Sequence, residues 1–489
     1  MEFPPPWRKK AKTSGGAPQD YGKCAVGCYL WGKQTSIVLD CLVLGYSLST
    51  HNTKPARVIC CNDDTLEMNA CALLAAFWDI IPVSHAKVPD HLQGSELARL
   101  RGVYSKMQCW KLFKRKGPHQ YNRFLLMDGD MLVRVNIDDI FATSVPAGVM
   151  RGEADTCLYE KRPPSTFFQR GDPRSFTHQG MKMKGGINGG LVLFSPDEPT
   201  YDKMMKELAH FRPVTEMAEQ EFLSYYFGKS GSFWGIHKKY NFQIHQLYLT
   251  GAGKPPMGQR TPSSYHTMIH NPGEVKTWHF SADVKPSNVL LNMDSKSGWF
   301  YVEETLEQNE MHMRKQQTNR MDEDLAANVE ELEAIKNCNM TAHREWLEAW
   351  KGTWQSLCLF VVNSAVKDHL ELDGYDCYIC TVCGDELPEH RIIYHFLINC
   401  PAMRKTVHLP LFHMFDLRAL LHVPCGRLAE SKLYYLGEIL AFFKSKKGFV
   451  THEPPKISLD MTGLLEIDGE PFIKESKLDT IDPALCKGS

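Results

Sequence analysis

The sequence predicts an α/β fold with a largely parallel sheet, followed by a mostly helical C-terminal region that carries a metal-binding pattern. Three observations predict it. Short apolar runs alternate with helical patterns from Tyr21 to Tyr301. Glycine and proline are missing from Glu303 to Lys351, where Glu, Gln, Met, Arg, Leu and Ala dominate. Beyond that stretch Cys380, Cys383, His395 and Cys400 recur at spacings that suit one tetrahedral ion.

The elements follow in order. Residues 1–20 carry Pro4-Pro5-Pro6 and the run Arg8-Lys9-Lys10-Ala11-Lys12, without the apolar stretch of a signal peptide. They read as a disordered basic tail, a solvated charge run with a nuclear address as the other reading. Cys24 to Trp31, Ala56 to Cys61, Ile80 to Val83, Phe124 to Met127 and Leu191 to Phe194 are short, apolar and bounded by turn residues, as buried strands are. Ile37 to Ser49 has a helical pattern. Residues 21–301 therefore form one α/β domain, 302–352 a connector of one or two long helices, and 353–489 the C-terminal domain.

Composition narrows the function. The formal net charge of −1 excludes a global field for nucleic acid or acidic ligands. No run reaches the roughly 18 apolar residues of a membrane span. The longest candidate, Leu357 to Val366, is interrupted by Asn363 and Ser364 and reads as a buried helix. Sixteen cysteines without a secretory signal point to a reducing compartment, so a cytoplasmic or nuclear protein without a membrane partner is expected. The sequon Asn339-Met340-Thr341 carries no weight there.

The chemistry-bearing motif is Phe124-Leu125-Leu126-Met127-Asp128-Gly129-Asp130. An apolar strand ends in two carboxylates separated by glycine, and residues i and i+2 of an extended chain project to one side. Open α/β sheets bind ligands at the carboxyl ends of their strands. Oxygen ligands suit a hard cation such as Mn²⁺ or Mg²⁺, which also binds nucleotide phosphates. Alone, Asp-Gly-Asp is also a common turn.

The segment Asp128 to Phe141 resembles the metal-binding stretch of glycosyltransferase family 8, the glycogenin and galactinol synthase group. Tyr104-Ser105-Lys106 with Cys109-Trp110-Lys111 is similar to the helix whose lysine contacts the sugar nucleotide. Asn188-Gly189-Gly190 with Leu191 to Phe194 is similar to the acceptor-side loop and strand. Ala218-Glu219-Gln220-Glu221-Phe222-Leu223 resembles the galactinol synthase branch, and His279-Phe280 with Val284-Lys285-Pro286 the closing metal-and-phosphate motif. Leu42 to Leu48 matches the first helix. Two departures stand out: Gly32-Lys33-Gln34 where glycogenin has Thr and Asn, and Ala282-Asp283 where a glycine is usual.

The resemblance implies a GT-A type sheet with flanking helices and a retaining hexosyltransferase. The donor would be a UDP-hexose, glucose or galactose, and the acceptor a protein, glycan or polyol. Asp128, Asp130 and His279 would hold Mn²⁺ or Mg²⁺. Lys106, Gln34, Gly129 and Lys285 would contact the donor. Glu219 would act as nucleophile or cation stabiliser, with Gln220 and Asn188 positioning the sugar or the acceptor. Tyr248 is a candidate self-glycosylated residue, with a packed aromatic as the default. Asp138 and Asp139 read as helix caps.

Cys380, Cys383, His395 and Cys400 would bind structural zinc, with Cys377 and His390 as spare ligands. Ile392 to Phe396 reads as the helix that presents the histidine. Further expected partners are a ligand of this zinc module and a second copy of the chain in a homodimer. A second reading, from another class, is a zinc-module binding protein whose transferase domain is an inactive relic.

Overall fold

The computed structural model describes residues 21–86, 102–114, 120–150, 186–211, 218–230, 233–244, 264–281, 285–292, 329–373, 377–388, 391–407, 420, 424, 427–446 and three short strands within 457–471. Four strands run parallel at one side of the main sheet: β1 (Cys24–Leu30), β2 (Ala56–Cys61), β3 (Asp79–Pro82) and β4 (Arg123–Met127). Helix α1 (Thr35–Thr50) is the return from β1 to the parallel neighbour β2. Gly27 is required by the pairing, because a Cβ there would lie 2.2 Å from the Val58 carbonyl oxygen.

The short strand β5 (Met131–Val133) follows the Asp128–Asp130 turn, and β6 spans Ala147–Met150. Strand β7 (Ile187–Phe194) lies antiparallel to β4, β6 antiparallel to β7, and β8 (Trp234–Gly235) parallel to β6. The seven-stranded order is β3-β2-β1-β4-β7-β6-β8, parallel in four of its six pairings as the sequence led us to expect, and antiparallel in the two that β7 makes. Those two depart from the expectation because an apolar run encodes burial on both faces and not direction. All eight residues of β7 are buried, and that signal is the same for either orientation. Strand β7 also begins at Ile187, so Asn188-Gly189-Gly190 is strand and not loop.

A second sheet, β5-β10-β9, is formed with β9 (Phe242–Gln243) and β10 (Thr277–His279). Helices α2 (Glu198–Leu208) and α3 (Ala218–Ser230) lie on the main sheet's other side, where Trp110 stacks on Phe194 with ring centroids 3.6 Å apart.

The C-terminal region is built on one helix, α4 (Val329–His369), which runs through position 352. Trp346, Trp350 and Trp354, four residues apart, form a fully buried stripe on it. Gly352 is a packing site and not a break, since a Cβ there would meet the Tyr46 hydroxyl of α1 at 2.0 Å. Leu357 to Val366 is a segment of this helix, and Leu357, Val361, Val362 and Val366 are buried. Beyond α4 come the antiparallel strands β11 (Leu370–Asp373), β12 (Cys377–Cys380) and β13 (Glu386–Leu387), then helix α5 (Arg427–Ser445). One hydrophobic core runs from β1 and α1 through α4 to α5. Strands β14 (Ile457–Leu459), β15 (Leu465–Ile467) and β16 (Glu470–Pro471) form a separate small sheet. No helix among the described residues is long and apolar enough to cross a membrane.

Candidate metal and donor site

Three strands converge after β4. The Asp128 N–H donates to the Gly190 carbonyl of β7 at 2.9 Å, and the Phe280 N–H donates to the Asp130 carbonyl at 3.0 Å. Antiparallel pairing sets Met131 opposite His279, so the histidine arrives beside Asp130. His279 Nε2 lies 3.3 Å from Asp130 Oδ1 and 3.7 Å from Asp128 Oδ2. One donor atom from each of the three residues falls within 4.8 Å of the others. Gly129 fits against α1, where a Cβ would lie 2.6 Å from the Cys41 sulfur.

The ring of His279 is oriented by a chain that starts at a backbone donor. Gly190 N–H donates to Asn188 Oδ1 at 2.9 Å, so Asn188 presents its oxygen. Asn241 Nδ2 donates to the same oxygen at 2.9 Å, which turns Asn241 Oδ1 toward His279 Nδ1 at 2.6 Å. The Nδ1 atom is then the donor, and the lone pair is on Nε2. That Nε2 is buried without a hydrogen-bond partner, 3.3 Å from a carboxylate oxygen of Asp130. A buried acceptor facing two carboxylates is what a shared cation satisfies, so the residues present fit a divalent metal ion.

Two lysines flank the pair. Lys106 Nζ lies 2.5 Å from Asp128 Oδ1 and 3.8 Å from Glu219 Oε2, while Lys285 Nζ lies 2.6 Å from Asp130 Oδ2. Burial would raise the Asp130 carboxyl, but the Lys285 ammonium opposes it most strongly, and the group lies well below the usual carboxylate range. Burial depresses both lysines, yet the facing carboxylates raise them above their ordinary value.

Glu219 sits in the first turn of α3. Ser224 ties that helix to β7, accepting from Ile187 N–H at 2.8 Å and donating to the Gln220 carbonyl at 2.7 Å. Glu219 is buried, and burial pushes its carboxyl up to about 7, against Lys106 and with help from Asp128. The two glycines of β7 admit these side chains. A Cβ on Gly189 would lie 2.6 Å from both Glu219 carboxylate oxygens, and one on Gly190 2.5 Å from His279 Cε1.

The model of the family described as "Glycosyl transferase family 8" matches residues 16–282. The chain belongs to glycosyl transferase family 8. Among its relatives, the uncharacterized protein R707 of Acanthamoeba polyphaga mimivirus is 32% identical over 255 residues, covering 52% of this chain and 78% of that protein. Rabbit (Oryctolagus cuniculus) glycogenin-1 is 24% identical, covering 51% of this chain and 64% of glycogenin-1. Galactinol synthase 2 of Solanum lycopersicum is 32% identical over 132 residues, covering 25% of this chain and 36% of that enzyme. The chain thus spans less than two thirds of either named enzyme. A solved structure of the galactosyltransferase LgtC with donor and acceptor sugar analogs aligns over 59% of this chain and 95% of that one, at 13% identity and a TM-score of 0.34.

Asp128, Asp130, His279, Lys106, Glu219 and Asn188 of the family segment come together as one site with Lys285, three residues past its end. Asn188 enters it through Gly190 and Asn241, and Gln220 is half-buried with its Oε1 lacking a hydrogen-bond partner. Gln34 is exposed at the start of α1 and makes no side-chain cap, and neighbouring Lys33 pairs with Glu67 at 2.9 Å. Neither Asp138 nor Asp139 makes a helix cap. Asp138 accepts from Lys54 N–H at 3.2 Å, while Asp139 accepts from Tyr240 at 2.6 Å and Lys276 at 2.7 Å. Tyr248 and His390 lie outside the described residues.

Two site residues carry no motif. Asn241 orients His279, and Asp40 of α1 is buried with one oxygen lacking a hydrogen-bond partner. Burial pushes Asp40 up to about 7, with Lys285 opposing and Asp130 adding. Only its place inside the matching first helix could have signalled it.

Outside the family segment, donor atoms of Cys380, Cys383, His395 and Cys400 lie within 4.8 Å of one another. Cys383 Sγ is 3.5 Å from His395 Nε2. The Cys380–Cys400 hydrogen bond lowers the Cys400 thiol and raises that of Cys380.

Proposed function

We propose that the chain is a retaining, metal-dependent hexosyltransferase that moves glucose or galactose from a UDP-sugar to a protein, glycan or polyol acceptor. The observation that carries this reading is the His279 Nε2 lone pair, buried without a hydrogen-bond partner between Asp128 and Asp130. On this reading Mn²⁺ or Mg²⁺ binds those three residues, and a structural Zn²⁺ at the Cys380–Cys383–His395–Cys400 cluster is the second cofactor. The bound divalent ion supplies positive charge to the departing diphosphate.

The chain's own residues account for the rest. Breaking the anomeric C–O bond leaves positive charge on the sugar and negative charge on the diphosphate. Lys106 and Lys285, both raised above their ordinary value, remain ammonium ions and stabilise the diphosphate. Glu219, within 3.8 Å of Lys106, offers an anion to the developing oxocarbenium ion, as nucleophile or as stabiliser. Its burial keeps water away from that face.

Donor and acceptor are tested together by a screen of UDP-sugars for divalent-ion-dependent hydrolysis, followed by mass spectrometry of offered proteins, glycans and polyols. One UDP-hexose hydrolysed only with Mn²⁺ or Mg²⁺, with retained anomeric configuration in the product, is the expected result. Inversion, or metal-independent turnover of every donor, removes the reading.

A further inference from the structure

The Cys380–Cys383–His395–Cys400 cluster has the build of a metal knuckle. Gly384, at φ +81°, takes the left-handed turn after Cys383, where glycine is favoured. Its N–H donates to the Cys380 carbonyl at 2.8 Å, and the Cys380 N–H donates to the Asp385 carbonyl at 3.0 Å. The turn thus holds both sulfurs on one side. The short helical segment 392–399 brings His395 to them, and the Cys400 N–H donates to the His395 carbonyl at 2.8 Å. A Zn–S bond of about 2.3 Å and a Zn–N bond of about 2.0 Å at a tetrahedral angle set sulfur and nitrogen roughly 3.6 Å apart, close to the 3.5 Å Cys383–His395 separation. Three sulfurs and one imidazole nitrogen favour zinc over hard cations. Cys380, His395 and Cys400 are almost wholly buried, so the ligands do not form an exposed docking face.

What surrounds the cluster is the rest of this chain. Cys380 pairs with Leu370, the first residue past α4, and Thr381 N–H donates to the carbonyl of His369, the last residue of α4, at 2.9 Å. His369 Nε2 meets the Phe443 carbonyl of α5 at 2.8 Å. Between the ligands His395 and Cys400, the Leu397 carbonyl accepts from Tyr435 of α5 at 2.7 Å, and Phe396 packs edge-on against Phe443. Two ligands therefore hold the end of α4, and the other two hold α5. The same α4 faces the family segment with Glu345, which accepts from Trp278 Nε1 at 2.6 Å beside the ligand His279.

We infer that the ion at this cluster is an intramolecular clamp: it ties the C-terminal end of α4 to α5, and so fixes the helix that backs the transferase site. The inference rests on the zinc reading of the cluster but goes beyond it, because a zinc ion could equally serve a docking module. A clamp predicts that losing the ion loosens α4 and α5 first.

The test uses the full-length protein. Elemental analysis is expected to give about one zinc per chain, and replacement by Co²⁺ to give the visible absorption of tetrahedral thiolate ligation. Cys383→Ser, at the half-buried ligand, and chelation of the wild type are then followed by hydrogen-exchange mass spectrometry. Exchange about tenfold faster or more is expected over 353–369 and 427–445 with the ion lost, against little change in β1, β2 and β4. The chelation arm covers the case in which the variant does not fold. Bound zinc whose loss leaves α4 and α5 exchange unchanged overturns the clamp while the zinc reading stands. Protein with reduced thiols that takes up neither Zn²⁺ nor Co²⁺ overturns both.

Discussion

Arg134 and Glu345 face each other through two charge-assisted hydrogen bonds, Nε to Oε2 at 2.6 Å and Nη2 to Oε1 at 2.7 Å. Arg134 follows β5, which leads directly from Asp130, and its guanidinium lies 4.8 Å from the Trp278 ring centroid. Trp278 precedes His279 and also donates to Glu345. One carboxylate from a helix beyond residue 282, where the family match ends, thus grips both the strand that follows Asp130 and the strand that carries His279.

Glu345→Gln is expected to weaken that grip without touching the ligands. The Mn²⁺ concentration that half-saturates UDP binding should rise about three- to tenfold, while kcat at saturating metal stays within about twofold. The fold itself should lose about 1 kcal/mol, because the Glu345 side chain is 34% exposed and screened. Metal titration with kinetics at both ends of the range checks this. Equal loss at low and high metal would mean a general structural effect.

The hydrogen-bond chain from Gly190 to His279 makes a second prediction. Asn241→Leu removes the acceptor that keeps the proton on Nδ1, so Nε2 no longer holds its lone pair toward Asp130. Mn²⁺ affinity, read by electron paramagnetic resonance of the free ion, should fall about 10- to 100-fold. Asn241→Asp keeps an acceptor for His279 but loses the donor to Asn188 Oδ1, so it should retain more affinity than Asn241→Leu and less than the wild type.

The two glycines of β7 should fail in different ways. Gly190→Ala drives a methyl group against His279 and should abolish Mn²⁺ binding. Gly189→Ala meets Glu219 first, so Mn²⁺ binding should persist while turnover falls by about 10²-fold. Calorimetry and donor hydrolysis on the two purified variants separate these outcomes.

This contrast also marks where the sequence becomes hard to read. Asp128 and Asp130 were legible because two residues of one strand end make a local pattern. Asn188-Gly189-Gly190 was expected as a loop from the family resemblance, but its glycines lie in β7 and admit side chains from α3 and β10, which no local spacing reports. Asn241 belongs to no pattern at all, and its role exists only once three strands meet. The buried strands were read from apolar runs, yet their direction was not, since burial has no polarity. Gly352 looked like the end of a helical stretch, but α4 passes through it and uses the missing side chain to reach Tyr46. The Cys380–Cys400 pattern was visible because its turn and its helix are each local.

Glu219 sets the pH dependence. Burial raises its carboxyl to about 7, from an ordinary value of about 4.5. On the proposed mechanism the ionised form stabilises the sugar cation, so single-turnover rates should fall about tenfold per unit below pH 7 and level off above it. A raised carboxyl binds its proton more tightly in the folded than in the unfolded chain, so this group's contribution to stability declines as pH climbs through that window. Glu219→Gln should therefore be inactive, yet melt no lower than the wild type at pH 8. A pH profile flat from 5 to 8 in the wild type would remove this role.

We propose that Asp128, Asp130 and His279 form a divalent-ion site that binds a uridine diphosphate donor. Calorimetry of UDP binding with and without Mn²⁺ tests it most directly, in the wild type and in Asp130→Asn. UDP affinity at least about tenfold higher with Mn²⁺ is expected in the wild type, and no Mn²⁺ enhancement in Asp130→Asn. UDP affinity that is the same with and without Mn²⁺, or an enhancement that survives in Asp130→Asn, would contradict it.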